Sequence, residues 1–186
     1  MRRIPLRAGD CRREDLDPAR RFTKRGLSSQ FPCPGPSIPE LIQHEVDNLG
    51  AVICGRRTYD MSIPHWSGDG PTSEARVPVF VLSHSAPDDV PDSGVYTFID
   101  GLETALARAR ETAGDRNISV MGADTGRQCI DAGVIDEISV HLVPVLFGSG
   151  TPLLGGGVDE HVTLEFVGSS ESPHATHLRY RVVREG

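Results

Sequence analysis

The sequence predicts a three-layer α/β/α domain whose mixed, mainly parallel sheet ends in an antiparallel hairpin. Three observations support this prediction. Short apolar runs alternate with helical stretches in the middle of the chain, glycines follow the helical stretches, and two strand-like segments come last. At 186 residues the chain has the length at which one domain buries a continuous core, so a single domain is expected.

Residues 1–36 are predicted to form a basic, disordered tail. Arginine and lysine outnumber acidic residues in the first 25 positions, although the whole chain has a formal net charge of −7. The proline-rich run at 31–36 disfavours both a helix and a central strand. The folded domain is therefore expected to span residues 37–186.

The first predicted helix begins at the capping box of Ser37 and Glu40 and ends at Gly50. Residues 51–54 are wholly apolar, which is typical of a strand buried on both faces. Apolar periodicity and bounding glycines predict the next elements: strands at 77–82 and 95–99, a helix at 102–113, a strand at 118–121, a helix at about 125–132 and a β-rich segment at 135–145. Alternating residues at 162–167 and 176–183 predict a closing hairpin.

Composition excludes several classes of protein. The negative net charge argues against nucleic acid as a partner, and no apolar run is long enough to span a membrane. Because no such run is present, the chain is predicted to be soluble and cytoplasmic. The four cysteines form no Cys-x-x-Cys pair, so neither a zinc site nor a disulfide framework is expected. His174 and His177 are not expected to bind metal, since residues three apart on a strand point to opposite faces.

Two glycine-containing turns follow predicted buried strands and open helices. The first consists of Gly55, Arg56, Arg57 and Thr58, and the second of Met121, Gly122, Ala123, Asp124 and Thr125. Helix N-termini bind anions, and parallel strands end at a common edge, so one pyrophosphate could contact both turns. Taken alone, the first turn is better interpreted as a solvent-exposed basic connection, and the second is only suggestive of an anion site. The Gly-x-Gly-x-x-Gly dinucleotide fingerprint is absent, which disfavours an ordinary Rossmann enzyme.

Trp66 is the only tryptophan and lies in a predicted polar loop at 63–68. A large aromatic side chain in such a loop either lines a substrate pocket or packs over the edge of the core. Both interpretations of Trp66 stay open at this point. Asp136 and Glu137 are expected to be structural, because neighbouring side chains on a strand diverge.

Two segments carry a resemblance to a known family. Residues 52–60, Val-Ile-Cys-Gly-Arg-Arg-Thr-Tyr-Asp, resemble the Gly-Arg-x-Thr element of dihydrofolate reductase-like proteins. Residues 132–150 resemble the Ala-Gly-Leu-x-Asp-Glu and Pro-x-Leu-x-Gly-x-Gly signature of the C-terminal reductase domain of RibD, the riboflavin biosynthesis protein. Together the two segments suggest a relationship extending over about residues 39–183.

The resemblance implies a dihydrofolate reductase-like fold, NADPH as cofactor, a homodimer, and hydride transfer to a small heterocyclic substrate. The reaction would be similar to that of 5-amino-6-(5-phosphoribosylamino)uracil reductase. Carried over by position, Gly55, Arg56 and Thr58 would contact cofactor phosphates, Leu82 and Ser83 would lie near the adenosine, His84 would neighbour the 2′-phosphate, and residues 122–125 would hold the pyrophosphate. The segment 135–145 would contribute to the dimer interface.

The sequence departs from the family at three places. Met121 stands where many relatives have a second glycine, and Val120 stands where riboflavin-pathway reductases have an acidic, substrate-binding residue. Residues 1–30 contain no Ser-x-Asp-Gly-like opening strand, which in the family lies beside the nicotinamide. These departures leave the catalytic residue and the substrate unassigned. They also keep an alternative open, a catalytically inactive nucleotide-binding or scaffold module on the same fold.

Overall fold

The computed structural model describes residues 46–146, 148–154, 161–172 and 175–184. The predicted tail, most of the first helix and His174 lie outside these ranges, while residues 46 and 47 are helical as expected. Within the described ranges, no helix is both long and apolar enough to cross a membrane.

A four-stranded parallel sheet forms the centre of the fold. Its strands are β1 (Leu49–Gly55), β2 (Val79–Leu82), β3 (Tyr96–Ile99) and β4 (Asn117–Met121), in the order β3-β2-β1-β4. Helix α1 (Arg56–Trp66) connects β1 to β2, and helix α2 (Leu102–Ala113) connects β3 to β4. The predicted strands and the helix at 102–113 are therefore confirmed, with β2 and β3 shorter by one or two residues.

The two faces of this sheet have separate apolar cores, which explains why β1 is apolar at every position from 51 to 54. Ile53 packs with Phe80 and with Ala105 of α2 on one face. On the other face, the Tyr59 cluster contains Tyr59 of α1, Val52, Cys54, Val77, Val79, Val81, Val95 and Tyr96. The sheet and its two helices thus form the three predicted layers.

Gly50 permits the close approach of α2 to the sheet. A Cβ atom at this position would lie 2.6 Å from the Cα atom of Ala113, well inside van der Waals contact. Gly50 was predicted to end a helix, but it lies within β1, where its lack of a side chain sets how closely α2 packs.

A second sheet contains the C-terminal strands. Helix α3 (Ala123–Asp131) follows β4, and then β5 (Glu137–Leu142), β6 (Leu164–Ser172) and β7 (Ala175–Val182) form an antiparallel sheet in the order β5-β7-β6. The predicted hairpin of β6 and β7 is confirmed. The sequence predicted one mixed sheet, whereas the described part of the chain forms two sheets. Strand β4 is at the edge of the parallel sheet, and β5 is at the edge of the antiparallel sheet.

One local prediction was wrong, and another was confirmed over a shorter range. The expected loop at 63–68 is helical as far as Trp66, although Pro64 in the last turn of α1 has no N–H to donate to the Asp60 carbonyl. The backbone N–H of Ser67 still donates to the Ile63 carbonyl at 2.9 Å. The segment 135–145 is a strand only at Glu137–Leu142, and Pro144 beyond it has no N–H to donate to a ladder.

Candidate functional site

The two glycine-containing turns lie against each other at the carboxyl edge of the parallel sheet. β1 and β4 are hydrogen-bonded neighbours, so Gly55 and Gly122 end adjacent strands. A Cβ atom at Gly122 would lie 2.5 Å from the Thr58 Oγ1 atom, and one at Gly55 would lie 3.0 Å from the Thr125 Oγ1 atom. Each turn therefore needs a glycine to make room for the threonine of the other.

Both turns open helices whose N-termini are available to an anion. Gly55 and Gly122 are the N-cap residues of α1 and α3, and no described side chain caps either helix. The first-turn N–H groups of a helix have no partner within the helix and carry partial positive charge. Thr58 and Thr125 occupy the third position of their helices, and Asp124 places one carboxylate in the first turn of α3.

Arg56 connects the start of α1 to the turn that follows β2. Its Nε atom donates to the Asp60 carboxylate at 2.7 Å, and an Nη atom donates to the Ser85 carbonyl at 3.2 Å. The Ser83 hydroxyl donates to the same carbonyl at 2.7 Å. Arg56 and Ser83 thus hold this turn against α1, while Arg57 is exposed to solvent.

A cleft of about 470 Å³ opens beside these groups. Its volume is within the range of small-molecule and cofactor sites. His84 lies at its rim, with Nδ1 2.9 Å from the Asp100 Oδ1 atom. The cleft is lined by Arg56, Leu82, Ser83, His84, Ser85, Asp100, Gly101, Leu102 and Gln128.

The structure brings the predicted cofactor residues to one edge of the sheet, but only Arg56, Leu82, Ser83 and His84 among them line the cleft. The Met121 side chain packs against the Tyr59 cluster, so only its backbone faces the turn. Trp66 lies at the opposite end of α1 from Arg56, is half-buried against the same cluster, and does not line the cleft. A substrate-binding role for Trp66 stays a prediction.

Five lining residues were not predicted from the sequence: Ser85, Asp100, Gly101, Leu102 and Gln128. Asp100 directly follows β3, so the rule that parallel strands end at a common edge would have found it. Ser85 contributes a backbone carbonyl, for which a sequence carries no signal. Gln128 lies in the middle of α3, and its place in the cleft depends on how that helix packs. Asp60, the partner of Arg56, follows the i,i+4 spacing of helical ion pairs.

The two cysteines among the described residues are buried and unreactive. Burial raises the pKa of the Cys54 thiol to about 12, and it also raises the pKa of Cys129. Both thiols are therefore protonated near neutral pH and are poor nucleophiles. In the described ranges, no cluster of three or more His, Cys, Asp or Glu side chains has an arrangement that could hold a metal ion.

Comparisons with known proteins agree with this architecture. The profile of the RibD C-terminal domain matches residues 23–178. A putative riboflavin biosynthesis protein from Shewanella sp. PV-4 has a similar structure, with a TM-score of 0.65, 23% identity, and coverage of 82% of this chain and 84% of that one. A dihydrofolate reductase from Enterococcus faecalis, complexed with NADP(H) and RAB-propyl, has a TM-score of 0.52, 18% identity, and coverage of 77% and 81%. The dihydrofolate reductase-like fold is confirmed.

A sequence relative is also known. The uncharacterized protein YwjB of Bacillus subtilis (strain 168) is 26% identical over 132 residues, which are 71% of this chain and 73% of that protein. No activity is stated for this relative, so the match shows similarity of sequence alone.

Proposed function

Because the chain belongs to the RibD C-terminal domain family, we propose that it is a cytoplasmic NADPH-dependent reductase that transfers hydride to a small heterocyclic substrate. The reaction is of the same type as that of 5-amino-6-(5-phosphoribosylamino)uracil reductase. One observation carries the proposal. Two helix N-termini without side-chain caps meet at one sheet edge, through the reciprocal contacts of Gly55 with Thr125 and Gly122 with Thr58.

The residues at this edge fit a phosphorylated dinucleotide. Backbone N–H groups that begin α1 and α3 would hold the pyrophosphate, and the Thr58 hydroxyl lies beside Gly122 at the start of α3. Arg56, Ser83 and His84 in the cleft would hold the adenosine end and its 2′-phosphate. NADPH supplies the hydride when bound, so the protein's part is to bind and orient it. The NADP(H)-complexed reductase of similar fold supports this choice of cofactor.

The test is a titration of the full chain with NADPH and NADH, followed by Trp66 fluorescence and by calorimetry. Trp66 and Arg56 lie at opposite ends of an 11-residue helix. That helix is roughly 16 Å long, so Trp66 lies outside the cleft but close enough for its fluorescence to report a bound dinucleotide. Micromolar binding that prefers NADPH is expected, and absence of binding by a folded sample would reject a reductase.

Arg56→Ala is expected to weaken NADPH binding about tenfold or more, because a charge-assisted hydrogen bond to phosphate would be lost. Arg127→Ala is the matched control. Arg127 forms an i,i+4 ion pair with Asp131 at 2.7 Å, as Arg56 does with Asp60, and its side chain is 33% exposed against 35% for Arg56. Arg127 does not line the cleft. Equal losses in the two variants would contradict a phosphate-binding role for Arg56.

A second candidate is a catalytically inactive nucleotide-binding or scaffold module. It is favoured by the division of the sheet between β4 and β5, since the described residues supply no strand there. The two candidates separate in an assay of NADPH oxidation with a panel of heterocyclic carbonyl and imine compounds. Oxidation that requires both the chain and one such compound would reject the module.

We also propose that the protein is a homodimer to which the segment 135–145 contributes. Leu142 at the end of β5 is 61% exposed, and Phe166 of the same sheet is 58% exposed. Apolar surface of this kind is typical of an interface. Light scattering should give twice the chain mass, and a monomer at micromolar concentration would contradict the dimer.

A further inference from the structure

The Arg56 guanidinium and the His84 imidazole both line the cleft, and each is paired with a carboxylate of the same chain. Arg56 is 2.7 Å from Asp60, and His84 is 2.9 Å from Asp100. Of the two carboxylates, Asp100 lines the cleft itself and Asp60 does not. A ligand phosphate in the cleft would therefore meet negative charge as well as positive charge.

The pair of His84 and Asp100 contributes little to the stability of the fold. The His84 side chain is 93% exposed and that of Asp100 is 70% exposed, and solvent screens contacts between polar groups at such positions. The pair instead affects which ligands can bind in the cleft. Asp100 is held in place by its position, because it directly follows β3 and precedes α2.

We propose that Asp100 is a specificity-determining residue that limits the preference of the cleft for NADPH over NADH. This role rests on the proposed function. The two dinucleotides differ only at the adenosine ribose, where NADPH carries a phosphate monoester and NADH a hydroxyl. The Asp100 carboxylate repels the phosphate and competes with it for the imidazole of His84. The same carboxylate can accept a hydrogen bond from the ribose hydroxyl.

The size of the effect follows from the exposure of the pair. A unit charge near a doubly charged phosphate at the edge of a protein interacts by about 1 kcal/mol once water and salt screen it. Removing the carboxylate charge is therefore expected to tighten NADPH binding about three- to tenfold. NADH binding should stay the same or weaken, since its ribose has no charge to repel.

The decisive experiment measures the dissociation constants of NADPH and NADH for the full chain, Asp100→Asn and Glu103→Gln. Asparagine keeps the shape of the side chain and a hydrogen bond to His84 while it removes the charge. Glu103 lies in the first turn of α2, is exposed and does not line the cleft, so Glu103→Gln makes the same change in net charge elsewhere. Thermal unfolding of each variant checks that the fold is kept.

Asp100→Asn should raise the ratio of NADPH affinity to NADH affinity three- to tenfold, and Glu103→Gln should change it less than twofold. The gain should shrink at higher ionic strength, which a purely structural role for Asp100 would not produce. An unchanged ratio, or an equal change in Glu103→Gln, would contradict the role of Asp100 while the cofactor site stands. If the folded wild-type chain binds neither dinucleotide, the reductase and the role of Asp100 are both rejected.

Discussion

The parallel and antiparallel sheets differ in how completely they are covered. Ile53 at the centre of β1 is fully buried between helices, whereas Phe166 on β6 is 58% exposed although it pairs with Tyr180. The candidate cofactor site belongs to the covered sheet, where rigid packing fixes the two glycine turns. The candidate site therefore depends on the parallel sheet, whereas the antiparallel sheet exposes apolar side chains such as Leu142 and Phe166.

The largest expected effect tests this difference in burial directly. Ile53→Ala should lower the free energy of unfolding by about 2–5 kcal/mol, because it removes buried methyl groups and leaves a cavity. Phe166→Ala, the counterpart on the antiparallel sheet, should lower it by less than about 1 kcal/mol. Urea unfolding followed by circular dichroism measures both. A large loss for Phe166→Ala would mean that its face is covered in solution.

A smaller effect is expected at the contact between the two turns. Gly122→Ala forces a Cβ atom to within 2.5 Å of the Thr58 hydroxyl and places alanine at a φ of +98°. It should cost roughly 1–3 kcal/mol of stability and weaken NADPH binding. Gly133→Ala is the control, because Gly133 also has a positive φ, +65°, but faces open space. Equal effects on binding would mean that the contact with Thr58 is unimportant.

Alkaline pH should affect the covered sheet through its buried thiol. An unperturbed cysteine thiol has a pKa of 9.0. Burial raises the pKa of Cys54 in the folded state to about 12, because it disfavours the charged thiolate. The folded state therefore keeps a proton that the unfolded chain releases, so stability is fully present below pH 9 and falls as the pH rises toward 12. Between pH 8 and 10.5, the urea concentration at the midpoint of unfolding should fall more steeply with pH for the wild type than for Cys54→Ala. Equal slopes in the two proteins would contradict this effect of Cys54.

The smallest effect is expected at an ion pair on the antiparallel sheet. Arg181 contacts Glu165 at 3.1 Å, with both side chains more than half exposed. Arg181→Ala should change the free energy of unfolding by about 0.5 kcal/mol or less, since solvent and salt screen such pairs. Urea unfolding at low and high salt measures it. A loss above about 1 kcal/mol would show that this surface is less open than its exposure suggests.

The sequence by itself determined the elements whose signals are local. The apolar run of β1, the helix at 102–113 with its closing glycine, and the alternation that predicts the hairpin of β6 and β7 all depend on residues a few positions apart. The family signature at 132–150 is equally local, and the profile match confirmed the family. The two turns could be named as candidates because glycine after a buried strand is a local signal.

Only the tertiary structure decided which of these pieces meet. The contact between Gly122 and Thr58 joins positions 64 residues apart in sequence, and it exists because β4 pairs with β1. The pairing of His84 with Asp100, the extension of α1 to Trp66 and the division of the sheet between β4 and β5 likewise depend on strand order and packing. Local propensity does not encode strand order, because the free energy that selects it comes from burying distant residues against one another.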